Sequence, residues 1–415
     1  MRSGRGTSLL RGKTLTVAVV LALVLVWLSP DARGATTTPG VDEDRRGAPY
    51  AAGELLVTYE PGASERRIDE IVEGSAARVE EKVSISDAQL LSFPAVKREQ
   101  RGHLREEKLR RAKEALQRVP GVRHVDYNYL RLPYYAANDP AFVDGFQWDL
   151  PRIGAPAAWN RTLGVGTRIA VVDTGIDSDH PDLDGKIVAQ KDMVDNDVVA
   201  EDDRAGHGTH VAGTVGAETN NGAGVAAVCP ACKLLVAKSG DSRVLYDSDI
   251  VQGIYWSVNN RAKAINLSLG SEGNSRILEH AVNHAWGQGV VVVAAAGNEN
   301  TGRPSYPAAY RNVISVSATD LQNRRARFSN YGKIDVAAPG VRILSTVPGG
   351  GYDIKAGTSM ASPHVAALAG LLAAQGRSAP EIRRRIQRTS TDLGAKGKDR
   401  LFGWGLINAN RAVRR

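Results

Sequence analysis

Two patterns of apolar and polar positions divide the chain. From Gly53 onward the apolar stretches are short and mixed with charge. "ELLVTYEPG" reads as a strand and turn, and "ERRIDEIVEG" as a helix. "ARVEEKVSISDAQLLSF" reads as two strands, "EEKLRRAKEALQRVPG" as a helix stopped at Pro120-Gly121, and "VRHVDYNYLRL" as a strand. That order, β-α-β-β-α-β, predicts a small ferredoxin-like α+β unit. After the polar segment "YYAANDP" the runs become nearly continuous: "TRIAVVDTGID", "CKLLVAK", "AKAINLSLG", "GVVVVAAAGN" and "NVISVSATD". Helical stretches such as "DIVQGIYWSVNNR" and "ILEHAVNHAWGQG" separate them. The alternation predicts an α/β domain, a parallel sheet with helices on both faces. "GTSMASPHVAALAGLL", from Gly357 to Leu372, reads as a helix buried on most sides, with a small polar cluster at its head.

The ends of the chain read differently. Arg2, Arg5, Arg11 and Lys13 precede the apolar run "TVAVVLALVLVWL", then Ser29-Pro30 and small residues. This is the layout of a secretory signal peptide over residues 1–35, cut after Ala32 or Ala35. The run is short for a membrane span, which needs roughly 20 apolar residues, so no stable membrane association is expected. Residues 36–50, rich in Thr, Pro, Gly and charge, read as a linker. A chain of 415 residues with 42% hydrophobic content has room for a large core and more than one domain. The formal charge of +8 includes a C-terminal stretch, 377–415, with eleven Lys and Arg against three Asp and Glu. This reads as a solvated helix face with a basic tail. No nucleic-acid motif accompanies it and aromatic residues are only 6%, so no nucleic-acid partner is expected.

Export makes the only two cysteines informative. Cys229 and Cys232 form "CPAC". A thioredoxin-like setting for redox work is absent, and no further ligands stand near for zinc. A disulfide pinning one turn is expected.

Polar residues stand where a parallel sheet binds ligands, beyond the carboxyl ends of its strands. Asp173 ends "RIAVV", Ser268 follows "AIN", and Asn298 follows "VVVVAAAG". His207 lies in "GHGTHVAG" and Ser359 heads the long apolar helix. Taken singly, Asp173 is a turn residue, His207 a loop histidine and Ser359 an N-cap. Together they make a nucleophile, base and orienter. "GVGTR" precedes its strand, so no phosphate-binding turn is supported. A G-x-S-x-G elbow is absent, and "HGTH" lacks the glutamate and spacing of a zinc helix.

"VVDTGID", "GHGTHVAG", "AAGNEN" and "GTSMASPHVA" resemble the four signature blocks of the subtilisin-like serine proteases, the subtilases, in that family's order Asp, His, Asn, Ser. The resemblance covers about residues 50–410 and is nearest to the thermitase-type branch, from "NDPAFVDGFQWDLPRIGAPAAW" onward. Ala367 stands where the family commonly has glycine, a packing difference past the nucleophile. The resemblance implies the subtilisin-like three-layer fold and a serine endopeptidase. Asp173, His207 and Ser359 would be its triad, and Asn298 with the Ser359 N–H its oxyanion donors. Ser268, Leu269 and Gly270 would pair with an extended substrate. Ala295, Ala296 and Gly297 would line the pocket for the residue before the scissile bond, leaving room for large apolar or aromatic side chains.

It also implies a zymogen: signal peptide 1–35, an inhibitory propeptide 36–135 with its folded part at about 50–133, and a peptidase domain 136–415. The cut is expected between Tyr135 and Ala136, made by the same molecule. Calcium is expected at a site built from Asp139, Asp182 and Asn221 with the carbonyls of Glu218, Ala223 and Val225. A second site would use Asp192, Asp197 and Glu201. The partners expected are protein and peptide substrates and the chain's own propeptide, with the enzyme a monomer. The competing readings are an inactive subtilase that binds peptides, and a metallohydrolase built on "HGTH".

Overall fold

The computed structural model describes residues 41–44, 49–83, 88–129 and 135–414. The expected signal peptide lies outside them. The chain separates into two compact units, one ending at Pro133 and one spanning Tyr134–Arg414.

In the smaller unit Val41–Glu43 (β1) pairs antiparallel with the start of Pro49–Tyr59 (β2). Glu65–Gly74 (α1), Arg78–Val83 (β3), Ala88–Ser92 (β4), Gly102–Leu116 (α2) and Val122–Tyr129 (β5) follow. Strand β2 lies between β5 and β4, and β4 pairs with β3. The predicted strand-helix order is therefore realised. The linker expected over 36–50 is not, because β1 and the first residues of β2 belong to the sheet. The physical reason is a buried ion pair: Asp42, 1% exposed, takes the Arg105 Nε–H of α2 at 3.0 and 2.8 Å on its two oxygens. Leu55, Val57, Leu91 and Leu109 form a fully buried core beneath the helices.

The larger unit is built on seven parallel strands. These are Arg168–Asp173 (β6), Ile187–Asp192 (β7), Lys233–Lys238 (β8), Ala264–Leu267 (β9), Val291–Ala295 (β10), Val313–Thr319 (β11) and Val336–Pro339 (β12). Their order in space is β12-β11-β10-β9-β6-β8-β7. Ile343–Val347 (β13) and Gly351–Lys355 (β14) form a separate antiparallel hairpin. The long helices are His207–Gly216 (α3), Asp247–Asn259 (α4), Arg276–Gly287 (α5), Thr358–Ala374 (α6) and Ala379–Thr389 (α7). Alternate residues of each central strand enter two apolar clusters. Ile169, Val171, Val291 and Val293 join one, with α3 and α6; Ala170, Val172, Val292 and Ala294 join the other, with α4 and α5. Burial on both faces is why these strands read as unbroken apolar runs. Strand β7 has only one fully buried position and escaped the pattern, as did the four-residue β12 and the hairpin.

No helix among the described residues is long and apolar enough to cross a membrane.

Candidate active site

Three neighbouring strands end at one place. Asp173 closes β6, Ser268 follows β9 and Asn298 lies just past β10. His207 opens α3, and Ser359 is the second residue of α6. Helix α3 starts on a near-contact with the loop that follows Asp173. A Cβ on Gly208 would lie 2.2 Å from the carbonyl oxygen of Gly175, so "HGTH" needs glycine there.

That crossing puts His207 Nδ1 at 2.6 Å from Asp173 Oδ1, which also accepts the Thr174 N–H at 2.9 Å. Asp173 is 2% exposed, and its Oδ2 has no hydrogen-bond partner among the described residues. The charge of Asp173 raises the pKa of His207 above its ordinary value and prevails over burial, which lowers it. Lys355 works against the shift and Asp202 with it. A proton held on Nδ1 by the carboxylate leaves Nε2 as the basic nitrogen.

Ser359 Oγ donates to the carbonyl of Ser268 at 3.1 Å and makes no hydrogen bond to His207. Side-chain rotation is needed to bring the two together, as is common before substrate binds. Asn298 Oδ1 accepts from the N–H and hydroxyl of Thr358 at 2.9 and 3.0 Å. The acceptor end of the amide is thereby fixed to the nucleophile helix, and its donor end stays uncommitted.

Sequence reasoning missed Asn266 and Ser362, and the bracing role of Ser268. Ser268 Oγ donates to the Ser359 carbonyl at 2.8 Å and receives the Asn266 amide at 2.8 Å; Ser362 Oγ donates to Asn266 Oδ1 at 2.6 Å. One signal was available, since Asn266 interrupts the fully buried strand "AINL". A buried amide there must have partners.

The profile of the Subtilase family matches residues 164–405, more than half of the chain. The chain belongs to the subtilase family. It is 46% identical over 305 residues to the thermophilic serine proteinase of Bacillus sp. (strain AK1), covering 72% of this chain and 75% of that one. It is 45% identical over 286 residues to thermitase of Thermoactinomyces vulgaris, covering 67% of this chain and 99% of thermitase. A protease from Pseudoalteromonas arctica superposes with a TM-score of 0.62 at 33% identity, over 67% of this chain and 98% of that one. This subtilase is thermitase-like and a serine endopeptidase.

Beside the subtilase blocks lies a cavity of about 220 Å³. Gly270 lines it together with Glu272, Glu299, Thr301, Arg303 and Ser305, while Ala295, Ala296 and Gly297 do not; Ala296 lines a smaller neighbouring cavity. Glu272 and Arg303 pair at 3.4 Å, both well exposed. Leu269 packs against the apolar cluster beneath α4 and α5. Ala295 and Ala296 are buried, at 3% and 5% exposure, and Gly297 donates its N–H to Thr358 Oγ1 at 3.1 Å.

The two acidic groups expected to hold calcium differ. Asp139 and Asp182 are both fully buried, and neither pairs with a basic side chain among the described residues. Asp139 accepts the Asn220 N–H at 2.9 Å. Asp182 accepts the Asn221 amide at 2.9 Å and the Val225 N–H at 2.8 Å. Burial raises the pKa of Asp139, N–H donors oppose this, and the charge of Asp182 adds to it. The carbonyls of Glu218, Ala223 and Val225 are not used in the backbone hydrogen bonds of this loop. Two buried carboxylates without a counter-charge, beside free carbonyls, fit a hard cation.

Asp192, Asp197 and Glu201 do not form such a set. Asp192 Oδ1 accepts the N–H groups of Val194 and Asp195, Asp197 caps Val199, and Glu201 takes the Ser178 hydroxyl. The Lys238 ammonium sits 3.8 Å from Asp192 Oδ2 and 2.6 Å from the Glu201 carbonyl. A basic side chain of the chain itself therefore lies against this acidic run.

Cys229 and Cys232 form the disulfide, fully buried. It reaches further than the turn, because a Cβ on Gly164 would lie 2.1 Å from Cys229 Sγ, and one on Gly370 of α6 would lie 3.0 Å from Cys232 Sγ. Tyr135 is fastened within the larger unit. Its N–H bonds Asn160 Oδ1 at 2.6 Å, and its ring meets Trp159 edge-on with centroids 5.7 Å apart. Ala136 follows, exposed, and Ala137 is 5% exposed.

Proposed function

We propose that this subtilase hydrolyses peptide bonds through Asp173, His207 and Ser359, with Asn298 as an oxyanion donor. The observation that carries the reading is the 2.6 Å Asp173–His207 bond at the strand ends where Ser359 and Asn298 also stand. The Ser359 hydroxyl leaves Ser268 and gives its proton to His207 Nε2 as Oγ attacks the substrate carbonyl carbon. The oxygen that becomes anionic takes hydrogen bonds from Asn298 Nδ2 and the Ser359 N–H, the latter at the positive end of α6. His207 returns the proton to the leaving amine, the acyl group stays on Oγ, and water releases it by the reverse route. Asp173 stabilises the imidazolium throughout.

Bonds after large apolar or aromatic residues are cut broadly. The enzyme is secreted, and its smaller unit is an inhibitory propeptide. Self-cleavage falls near the Tyr135–Ala136 junction, and the anchoring of Tyr135 favours the N-terminal side of that residue. Structural calcium would be held by Asp139, Asp182 and Asn221, where it supplies the positive charge the two carboxylates lack.

A fluorophosphonate probe tests the reading. It labels Ser359 in wild type, and Ser359→Ala neither labels nor digests casein, with kcat down on the order of 10⁶-fold as for the corresponding serine of subtilisin. Labelling elsewhere, or undiminished digestion, would overturn it. N-terminal sequencing of wild type and Ser359→Ala tests the processing: only wild type loses the smaller unit.

A further inference from the structure

Asp202 stands outside the four signature blocks, yet it ties two of them together. Its Oδ1 accepts the Thr174 hydroxyl at 2.6 Å, and its Oδ2 accepts both the N–H and the hydroxyl of Thr209, at 2.7 and 2.6 Å. Thr174 adjoins Asp173, and its N–H bonds the same Asp173 oxygen that holds His207. Thr209 lies two residues past His207 on α3. The Thr174 oxygen also accepts the Gly208 N–H at 2.9 Å, closing the ring of bonds. No basic side chain pairs with Asp202 among the described residues; donors from these two segments hold its carboxylate, with the neighbouring Asp203 N–H at 2.9 Å on Oδ1. A carboxylate accepting this many hydrogen bonds in a half-buried place keeps its geometry.

We propose that Asp202 is a positioning residue for the catalytic pair: it locks the Asp173 loop to the start of α3 through Thr174 and Thr209, and it supplies a second negative charge to the imidazolium of His207. The inference rests on the triad reading above. The charged and titratable groups around His207 are Asp173 at the end of β6, Asp202 in the preceding loop, Lys355 on β14 and His210 one turn along α3. Asp173 and Asp202 favour the protonated ring, while Lys355 and burial oppose it. Lys355 is itself tied to the carbonyls of Ala205 and Gly206, at the entrance to α3. Removing the charge of Asp202 therefore makes the base easier to deprotonate and looser in its seat.

The test uses processed enzyme and compares wild type, Asp202→Asn and Thr174→Val. Fluorophosphonate labelling of Ser359 and kcat/KM on a peptide anilide are followed from pH 5 to pH 9. Asp202→Asn is expected to lower kcat about tenfold with KM little changed, and to move the acid limb down by about half a pH unit. Thr174→Val breaks the link but keeps the charge, so it lowers kcat and leaves the limb in place. An Asp202→Asn enzyme with the wild-type limb and kcat would overturn the proposal. If Asp202→Asn does not fold, Thr174→Val decides: an unchanged kcat overturns the locking role. NMR titration of His207 in processed enzyme, with and without Asp202→Asn, reads the charge effect apart from turnover, and an unmoved His207 overturns it. Failure of wild type to label at Ser359 is a different result and would overturn the triad reading instead.

Discussion

Asp173 and the Asp139–Asp182 pair are all buried carboxylates of the larger unit, yet the chain treats them oppositely. Asp173 receives an imidazole at 2.6 Å, a group that becomes a cation when the reaction calls for one. Asp139 receives N–H donors, and Asp182 receives the Val225 N–H, the Asn221 amide and the Tyr352 hydroxyl, none of them a cation. A third acidic group, at Asp192, has a lysine built in. A buried anion must be compensated; here the compensation is a titratable ring at Asp173, a fixed ammonium at Asp192 and, on the proposed reading, an outside cation at Asp139 and Asp182. What distinguishes a chemical site from a stability site is whether the partner charge can come and go with a proton.

The strongest break of this contrast is Asp173→Asn. Without the carboxylate the imidazole loses both its tautomer and its counter-charge, and kcat should fall by about 10⁴-fold with thermal stability little altered. Steady-state kinetics beside a melting curve checks both halves.

Chelation acts on the other side. An ion bound only by the folded state at 100–1,000 times its Kd adds about 3–4 kcal/mol. Treatment with chelator should lower Tm by several degrees, and Asp182→Asn should lower it without chelator and remove most of the further response. A Tm indifferent to chelator would remove the cation from the Asp139–Asp182 pair.

His210 sharpens the contrast on α3 itself. It is fully buried, its Nε2 meets the carbonyls of Ile343 and Asp353 at 3.0 and 3.1 Å, and its Nδ1 has no partner among the described residues. Burial, with Lys355 nearby, pushes its pKa down to about 4. The unfolded chain binds a proton near pH 6.5 that the folded chain refuses until about pH 4. Its contribution is therefore intact above pH 6.5 and lost as pH falls through that window, by roughly 3 kcal/mol in full. His210→Gln should be less stable at pH 7 but lose less between pH 7 and pH 4.5, measured by denaturant unfolding.

The smallest effect belongs to the acidic run beside Lys238. Asp197 is exposed and only caps a turn, so Asp197→Ala should change stability within about 0.5 kcal/mol and leave the chelator response as in wild type.

Particular elements mark how far the sequence reached. Unbroken apolar runs announce β6, β9 and β10 because both sheet faces are covered, and the glycines of "HGTH" announce a close backbone crossing. Asp173, His207, Asn298 and Ser359 were readable because each follows a run of that kind or heads a helix. Strand β7 stayed hidden because an edge strand needs little apolar surface. The linker expectation at 41–43 failed because a single buried pair, Asp42 with Arg105, outweighs a polar composition.

The amino-acid sequence by itself determined the parallel α/β architecture, the places of the four chemical groups and the one possible cysteine pair. These depend on local periodicity and on chain order, which a linear pattern records. Only the tertiary structure decided which acidic groups lack a counter-charge, that Lys238 lies beside Asp192, that Thr358 orients Asn298, and that Asp202 joins the segment after Asp173 to α3. Those outcomes depend on which side chains from distant segments meet within a hydrogen bond's reach, and no spacing along the chain encodes that.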